Sequence, residues 1–545
     1  LPGHSKSWQI AYPELGMISH QQNFGRENGE LFAPPIDITK EETYEFLDLF
    51  FEEMADLFPD KYLHIGGDEV NPKYWEESES VQQFMKENNL HDTHDLQAYF
   101  NFRMHKILTK HGKKMVGWEE ILHSDLGDDI VIQSWKSQKT LFEGVQRGGT
   151  AILSAGLYLD HKLHAGEHYK IDPLVMPGAV DITPDSSQWK MYDLVLKIPS
   201  GEMESQLVIF DRNNDDVFGF FAMMDDRMAF KNGNLDENKL TFKLKSPMGE
   251  LDFSGEFIGD SVAGQLSFGF LKFDCNGSKS GGNDISGTVM PKIETIKPLT
   301  DEDKSRIVGG EAAMWSEVVG ENNVESRIWP RSAAIAEKLW SPAELTTDTE
   351  DMYRRLENFS TYIEKRGSHH NLQKNAILEK LIEPEGLSHL QTLVNVLEEV
   401  KYYGRLGDVI NSENLYLPDY PLDGVVDAAR PESSEARNFN KLVDKYLSDK
   451  TKETLKNKIQ VQLEIWSKNH ELLKPYLNSD KLLQVSNISK EFSFVASKSL
   501  EIINNKSLSE KELEIVKEKL VFLENGENGM LLAVVPGLRK LCLEN

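Results

Sequence analysis

Carboxylates and aromatic side chains gather at a few points in the first 320 residues. Gly66-Gly67-Asp68-Glu69 sets two adjacent carboxylates behind two glycines. Trp118-Glu119-Glu120, then Trp135, then Tyr158 with Asp160, and finally Glu311 with Trp315 and Glu317 repeat the mixture further along. Neighbouring carboxylates can split their pKa values, leaving one protonated near neutrality while the other stays charged. That arrangement suits acid catalysis of glycosidic cleavage, and indole faces suit the apolar faces of a sugar ring. Taken singly, each cluster has a bland reading. An Asp-Glu pair is commonly solvated surface, and Trp118, Trp135 and Trp315 are as often core packing as ligand contacts. The glycines set the first cluster apart, because they allow a tight turn and a close approach of substrate to backbone.

Each cluster follows a short apolar run: 61–65, 114–118, 130–135, 150–153 and 306–309. Helical patterns alternate with most of them. Thr39 and Glu42 fit a capping box, after which Tyr44, Leu47, Phe50, Phe51, Met54 and Phe58 recur at helical spacing. Over 93–111, Leu96, Phe100, Met104, Ile107 and Leu108 share one face. Repeated strand–helix units predict an α/β fold with a parallel sheet. In parallel α/β barrels the C-terminal strand ends, where these clusters lie, build the active site.

Residues 188–300 follow a different period. Leu194, Leu196 and Ile198 alternate with other residues, as do Leu240, Phe242 and Leu244, then Leu251, Phe253 and Phe257. Period two predicts antiparallel β structure, a small sandwich or barrel inserted in the larger domain, with Lys231-Asn232-Gly233-Asn234 as a turn. The polar, glycine-rich stretch 276–282 reads as a loop or linker. Beyond Gly367 the chain turns helical and rich in lysine and glutamate, as at 376–403 and 508–523, with Pro418, Pro421 and Pro431 marking irregular connections. The expected organisation is a first catalytic part at 1–187, an inserted β domain at 188–300, the last catalytic strand and helix at 301–366, and a C-terminal helical domain at 367–545.

The formal charge of −29 over 545 residues repels nucleic acid. Two cysteines, Cys275 and Cys542, cannot build a disulfide framework or a cysteine zinc site. No apolar run reaches the length of a membrane span. His470-Glu471 lacks the second histidine of a zinc-protease helix, no Gly-rich phosphate loop with its lysine occurs, and Asp211 to Asp216 lacks the glycine and distal spacing of a calcium loop, so a turn is expected there. No metal and no cofactor are expected.

The stretch His64-Ile65-Gly66-Gly67-Asp68-Glu69 resembles the signature of family 20 glycoside hydrolases, the β-N-acetylhexosaminidases. Leu1-Pro2-Gly3-His4 and Ala11-Tyr12-Pro13-Glu14-Leu15 resemble it too. The order continues with Gly117-Trp118-Glu119-Glu120, Gln133-Ser134-Trp135, Tyr158-Leu159-Asp160 and 310–317, and Trp329-Pro330-Arg331 with 337–342 looks like the family's closing helix. The resemblance covers about 1–187 and 301–366. It implies a TIM (β/α)8-type barrel lacking its first strands, and exo-acting removal of terminal N-acetylhexosamine, GlcNAc or GalNAc, from β-linked glycans or chitooligosaccharides. The partner is thus a glycan substrate, and an exported location is expected by the same analogy.

The resemblance further implies substrate-assisted retention, in which the 2-acetamido oxygen of the sugar attacks the anomeric carbon and water opens the resulting oxazolinium-like intermediate. Glu69 is then the general acid and later the base. Asp68 orients the acetamido group, and Tyr158 donates to its oxygen. Trp118, Trp135 and Trp315 wall the sugar, Asp160 and Glu317 bind hydroxyls, and His4 joins a polar network around the acid pair. His64 is expected behind the site, and Glu119 and Glu120 receive no role. Two family strands and an arginine that grips the sugar have no counterpart here, so the chain by itself is expected to be unstable or inactive. A carbohydrate-binding fragment with no activity is the competing reading.

Overall fold

The computed structural model describes residues 1–17, 34–123, 127–175, 189–198, 201–211, 216–223, 226–246, 249–268, 271–285, 287–288, 298–405 and 422–543. These fall into two compact units. The first holds Leu1–Leu157, Asp172–Ala179 and Ile293–Glu311, and the second holds Tyr158–Ile171, Val180–Lys292 and Ala312–Asn545.

In the first unit five short strands make a parallel sheet: β1 (Tyr62–His64), β2 (Lys114–Trp118), β3 (Val131–Ser134), β4 (Thr150–Leu153) and β13 (Ile307–Gly310), in that spatial order. Every described pairing in it is parallel. Val116, Ile132, Ala151 and Leu153 are buried apolar positions, as expected where helices cover a parallel sheet. The covering helices bury the faces that their spacing foretold. Helix Glu41–Leu57 buries Tyr44, Leu47 and Phe51, and helix Thr93–Lys110 buries Leu96, Phe100, Met104 and Leu108. Two details differ. Phe58 ends the first helix as an exposed C-cap. The expected capping box is not formed: Lys40 is the N-cap, and Thr39 spends its backbone N–H and hydroxyl on Asp37 instead. An aspartate two residues upstream offers a turn acceptor that competes with the cap.

The second unit contains an antiparallel barrel that closes on itself. Its strands are β5 (Trp189–Ile198), β6 (Gly201–Asp211), β7 (Asp216–Met223), β8 (Asp226–Asp236), β9 (Lys239–Ser246), β10 (Gly249–Ile258), β11 (Ser261–Phe268) and β12 (Leu271–Gly282), each paired to the next, with β12 returning to β5. The alternating Leu194, Leu196, Leu240, Phe242, Leu244, Leu251 and Phe253 all belong to its core. Phe230 stacks on Phe242 at 3.7 Å between centroids, and Phe242 on Phe253 at 4.7 Å. Eight strands leave an interior about wide enough for side chains, and here aromatic rings fill it.

Two glycine-bearing stretches expected to be turn and linker are strand. Asn232-Gly233 lies inside β8, where the register against β7 slips between Val217 and Gly219, so Lys231-Asn232 makes a bulge while Gly233 pairs with Val217. The stretch 276–282 is the second half of β12. There a Cβ on Gly277 would collide with the carbonyl oxygen of Asp193 and lie 2.7 Å from Leu194 Cα. The glycine serves close strand approach, not a bend. The stretch 212–215, Pro418 and Pro421 lie outside the described residues.

The C-terminal part of the second unit is helical around one apolar core that includes Leu390, Trp466, Phe492 and Leu538. The stretch 376–403 is not one helix. It divides into Leu372–Leu381, Pro384–Val394 and a short strand, Leu397–Glu399, because Pro384 can begin a helix but not continue one. Helix Glu510–Asn525 carries a capping box from Ser509 and Glu512. Among the described residues no helix is long and apolar enough to cross a membrane.

The barrel packing yields a direct test. Gly277→Ala should lower stability by about 1–3 kcal/mol, read as an earlier urea midpoint in the transition that exposes Trp189. An unmoved midpoint would contradict the close approach of β12 to β5.

Candidate active site

The carboxylate pair sits where β1 ends. Gly66 and Gly67 take φ of 81° and 102°, and Glu69 follows at 50°. A non-glycine residue in this region is uncommon, and such strain gathers at functional sites. Four contacts hold the turn. The Gly66 N–H donates to His64 Nδ1 at 3.0 Å. Trp118 N–H donates to Gly66 O at 2.8 Å. Gln97 Nε2 donates to Gly67 O at 2.7 Å. Finally, Ile121 packs so tightly beneath that a Cβ on Gly117 would lie 2.6 Å from its Cδ1, and one on Gly67 would overlap its Cγ2. Glycine at 67 and 117 is therefore a packing requirement as well as a conformational one.

His4, itself at a φ of 51°, reaches both acids. Its Nε2 lies 3.2 Å from Asp68 Oδ2 and 3.3 Å from Glu69 Oε2. Hydrogen bonding to Asp68 and then to Glu69 favours the imidazolium and raises His4 to about 9. Burial pushes the Asp68 carboxyl up, but the hydrogen bond and charge of His4, with a backbone hydrogen bond and the N-terminal charge, together leave the group below its ordinary value. Asp68 thus stays charged beside a cation, while Glu69 is the more exposed of the two. Among the described residues this is the one group spaced to hold a metal ion, with ligand atoms within 4.8 Å of one another. The histidine's positive charge does there what an added cation would do.

Behind the pair, His64 is kept below its ordinary pKa by surrounding protein, opposed by the charges of Asp68 and Glu311. A neutral ring is what the Gly66 bond to Nδ1 requires. Its ring meets Trp118 edge-on at 5.1 Å. Gln133 Nε2 donates to Glu311 Oε1 at 3.0 Å and to Ser154 Oγ at 2.8 Å, tying together the ends of β3, β4 and β13.

Glu119 and Glu120, given no role from sequence, hold Trp135. Buried Glu119 accepts from the N–H groups of Trp135 and Lys136, at 2.8 and 3.0 Å, and from the hydroxyls of Ser134 and Thr140, each at 3.1 Å. Glu120 accepts from the Trp135 indole at 3.1 Å and pairs with Lys136 at 2.9 Å. Nothing local in the sequence marks these partners, since they come from the end of the next strand.

In the second unit, Tyr158 and Asp160 are buried, and Trp315 and Glu317 are exposed. The Tyr158 and Trp315 rings meet edge-on at 6.4 Å. Leu159 N–H donates to Ala313 O at 2.8 Å, binding the two segments together. Arg331, fully buried, donates to the carbonyls of Leu159 and Leu163, each at 2.8 Å. One more residue, unforeseen in the sequence, reaches this group: the Tyr403 hydroxyl donates to Asp160 Oδ2.

Residues 1–194 and 277–343 match the model of the glycosyl hydrolase family 20 catalytic domain. Over those residues the chain is similar to that family. A beta-hexosaminidase of Porphyromonas gingivalis is 34% identical over 187 residues, 33% of this chain and 22% of its own length. The beta-hexosaminidase subunit alpha of Rattus norvegicus is 23% identical over 377 residues, 67% of this chain and 48% of its own. A solved chitobiase of Flavobacterium johnsoniae superposes with a TM-score of 0.69 at 25% identity, covering 99% of this chain and 64% of that one. The chain therefore spans less than two thirds of the length of these relatives. The helical C-terminal part and most of the antiparallel barrel lie beyond the family model's residues, whereas the solved relative extends across nearly the whole chain.

His4 carries a pH test. Its raised pKa means that its pairing stabilises the fold in full below about pH 6.5, above the carboxylate range, and the contribution fades as pH climbs through about 9. The ring is half exposed, so screening keeps the effect to about 1 kcal/mol or less. The stability gap between the wild type and His4→Gln, from urea midpoints, should shrink between pH 6.5 and 9. A gap that widens with pH contradicts the pairing.

Proposed function

We propose that this chain is the catalytic part of an exo-acting β-N-acetylhexosaminidase that works by substrate-assisted retention. The observation that carries the reading is the Asp68–Glu69 pair on its glycine turn, with His4 bridging both carboxylates. A retaining enzyme of the usual kind needs a second carboxylate as nucleophile. Adjacent residues bridged by one histidine suit a different division, with one acid to move protons and one anion to hold the substrate's own nucleophile.

In this scheme Glu69 protonates the glycosidic oxygen as the acetamido oxygen attacks C1, then removes the proton from the water that opens the oxazolinium ring. Asp68, kept ionised by His4, accepts from the acetamide N–H and balances the positive charge that develops on nitrogen, a contact that strengthens towards the transition state. Tyr158 donates to the acetamido oxygen and aims it. Trp118, Trp135 and Trp315 supply apolar walls, Trp135 being fixed by Glu119 and Glu120. Asp160 and Glu317 accept from sugar hydroxyls. We read the five-stranded parallel sheet as part of a (β/α)8 barrel, with the antiparallel barrel inserted between the fourth of its strands and the fifth.

The full-length protein should hydrolyse nitrophenyl β-GlcNAc or β-GalNAc and leave the β-glucoside untouched. Glu69→Gln should lower kcat by on the order of 10²–10⁴-fold on substrates with poor leaving groups, and by less in the first step on nitrophenyl glycosides, whose leaving group needs little protonation. Equal glucoside turnover excludes acetamide assistance. Binding of the acetamido sugars with no turnover would favour a carbohydrate-binding protein.

A further inference from the structure

The turn that carries Tyr158 and Asp160 is met by a segment from far along the chain. Tyr402 N–H donates to His161 O at 2.9 Å, and Tyr402 takes a φ of 48° to do so. The His161 ring is then enclosed by three tyrosines: Tyr158 at 5.1 Å, Tyr402 at 5.2 Å and Tyr403 at 5.4 Å between centroids. Burial holds this imidazole below its ordinary pKa, against the pull of the Asp160 charge. It is a neutral spacer and brings no cation to the carboxylate.

Asp160 itself is 2% exposed. Its Oδ2 accepts from the Tyr403 hydroxyl, while Oδ1 is buried and has no hydrogen-bond partner among the described residues. A buried carboxylate oxygen with no donor is costly, and such a group is an acceptor waiting for a hydroxyl or an N–H. Burial, and next the charge of Asp160, push the Tyr403 phenol far above its ordinary range, so it remains a neutral donor at any working pH. The nearby Glu317 charge pushes the same way.

We propose that Tyr403 is a positioning residue for the sugar-binding carboxylate Asp160, holding one oxygen so that the other is aimed at a substrate hydroxyl. The inference rests on the reading of Asp160 as a hydroxyl acceptor. Residue 403 lies outside the family-matched residues 1–194 and 277–343, so the helical C-terminal part contributes to substrate recognition. Tyr403 touches no reacting atom. It acts by fixing the rotamer of Asp160 and supplying a hydrogen bond that compensates its burial.

The test uses full-length protein with Tyr403→Phe, which keeps the ring and removes the donor, beside Asp160→Asn. Each is assayed on nitrophenyl β-GlcNAc and on its 3-, 4- and 6-deoxy counterparts. Tyr403→Phe should raise KM for the parent sugar about tenfold, with kcat changed much less. On the deoxy sugar lacking the hydroxyl that Asp160 accepts, the variant and the wild type should perform alike. The ratio of kcat/KM between parent and deoxy substrates does not depend on the folded fraction, so partial unfolding of the variant leaves the answer readable. An equal loss on all four substrates means a merely structural tyrosine and overturns the proposal. A lower KM in Tyr403→Phe means that the phenol competes with substrate for Asp160, and overturns it too. If Asp160→Asn changes none of the four, the reading of Asp160 has failed. If Asp160→Asn is selective and Tyr403→Phe is silent, only the role of Tyr403 has failed.

Discussion

Asp68 and Glu69 are consecutive carboxyl groups, and the candidate active site depends on one partner holding both. His4 does it by placing one nitrogen within 3.3 Å of both carboxylates. For the acids to face one histidine, the chain after β1 must turn through three positive-φ residues, Gly66, Gly67 and Glu69. That turn in turn demands the close packing of Ile121 under Gly67 and Gly117. Imidazolium, carboxyl groups, strained backbone and glycine packing form one dependent set of contacts.

A second layer keeps the aromatic walls in place. Trp135 is gripped through its backbone by Glu119 and through its indole by Glu120. Burying a carboxylate such as Glu119 is expensive unless donors surround it, and four donors do. Burial still raises its pKa. In the other unit a buried arginine, Arg331, performs the corresponding service for the Tyr158–Asp160 turn by donating to two carbonyls. In each case a charge is removed from water to fix a loop that no regular hydrogen-bond ladder could fix.

Much of this was legible in the residues. The parallel strands and their glycine-ended clusters, the apolar faces of the two covering helices and the period-two run of the insert all follow from local pattern, and the structure places them where that pattern leads. What was not legible depended on contacts between distant segments. Asn232-Gly233 and the stretch 276–282 look like turns because glycine is read locally as freedom. In β8 and β12 it answers to strands lying too close for a side chain. Thr39 lost its cap to Asp37, a competition between two acceptors that spacing rules do not rank. The roles of Glu119, Glu120 and Tyr403 need partners 15, 16 or 243 residues away, and a single sequence carries no sign of them.

The central claim is that the substrate's own acetamide is the nucleophile, oriented by Asp68. The most direct measurement is kcat of the full-length protein on nitrophenyl β-glucosaminides carrying N-acetyl, N-fluoroacetyl, N-difluoroacetyl and N-trifluoroacetyl groups, since each fluorine weakens the carbonyl oxygen as a nucleophile while changing its size little. The rate should fall steeply and steadily along the series in the wild type. A rate that stays level from acetyl to trifluoroacetyl would mean that the amide takes no part in bond making, and would contradict the account.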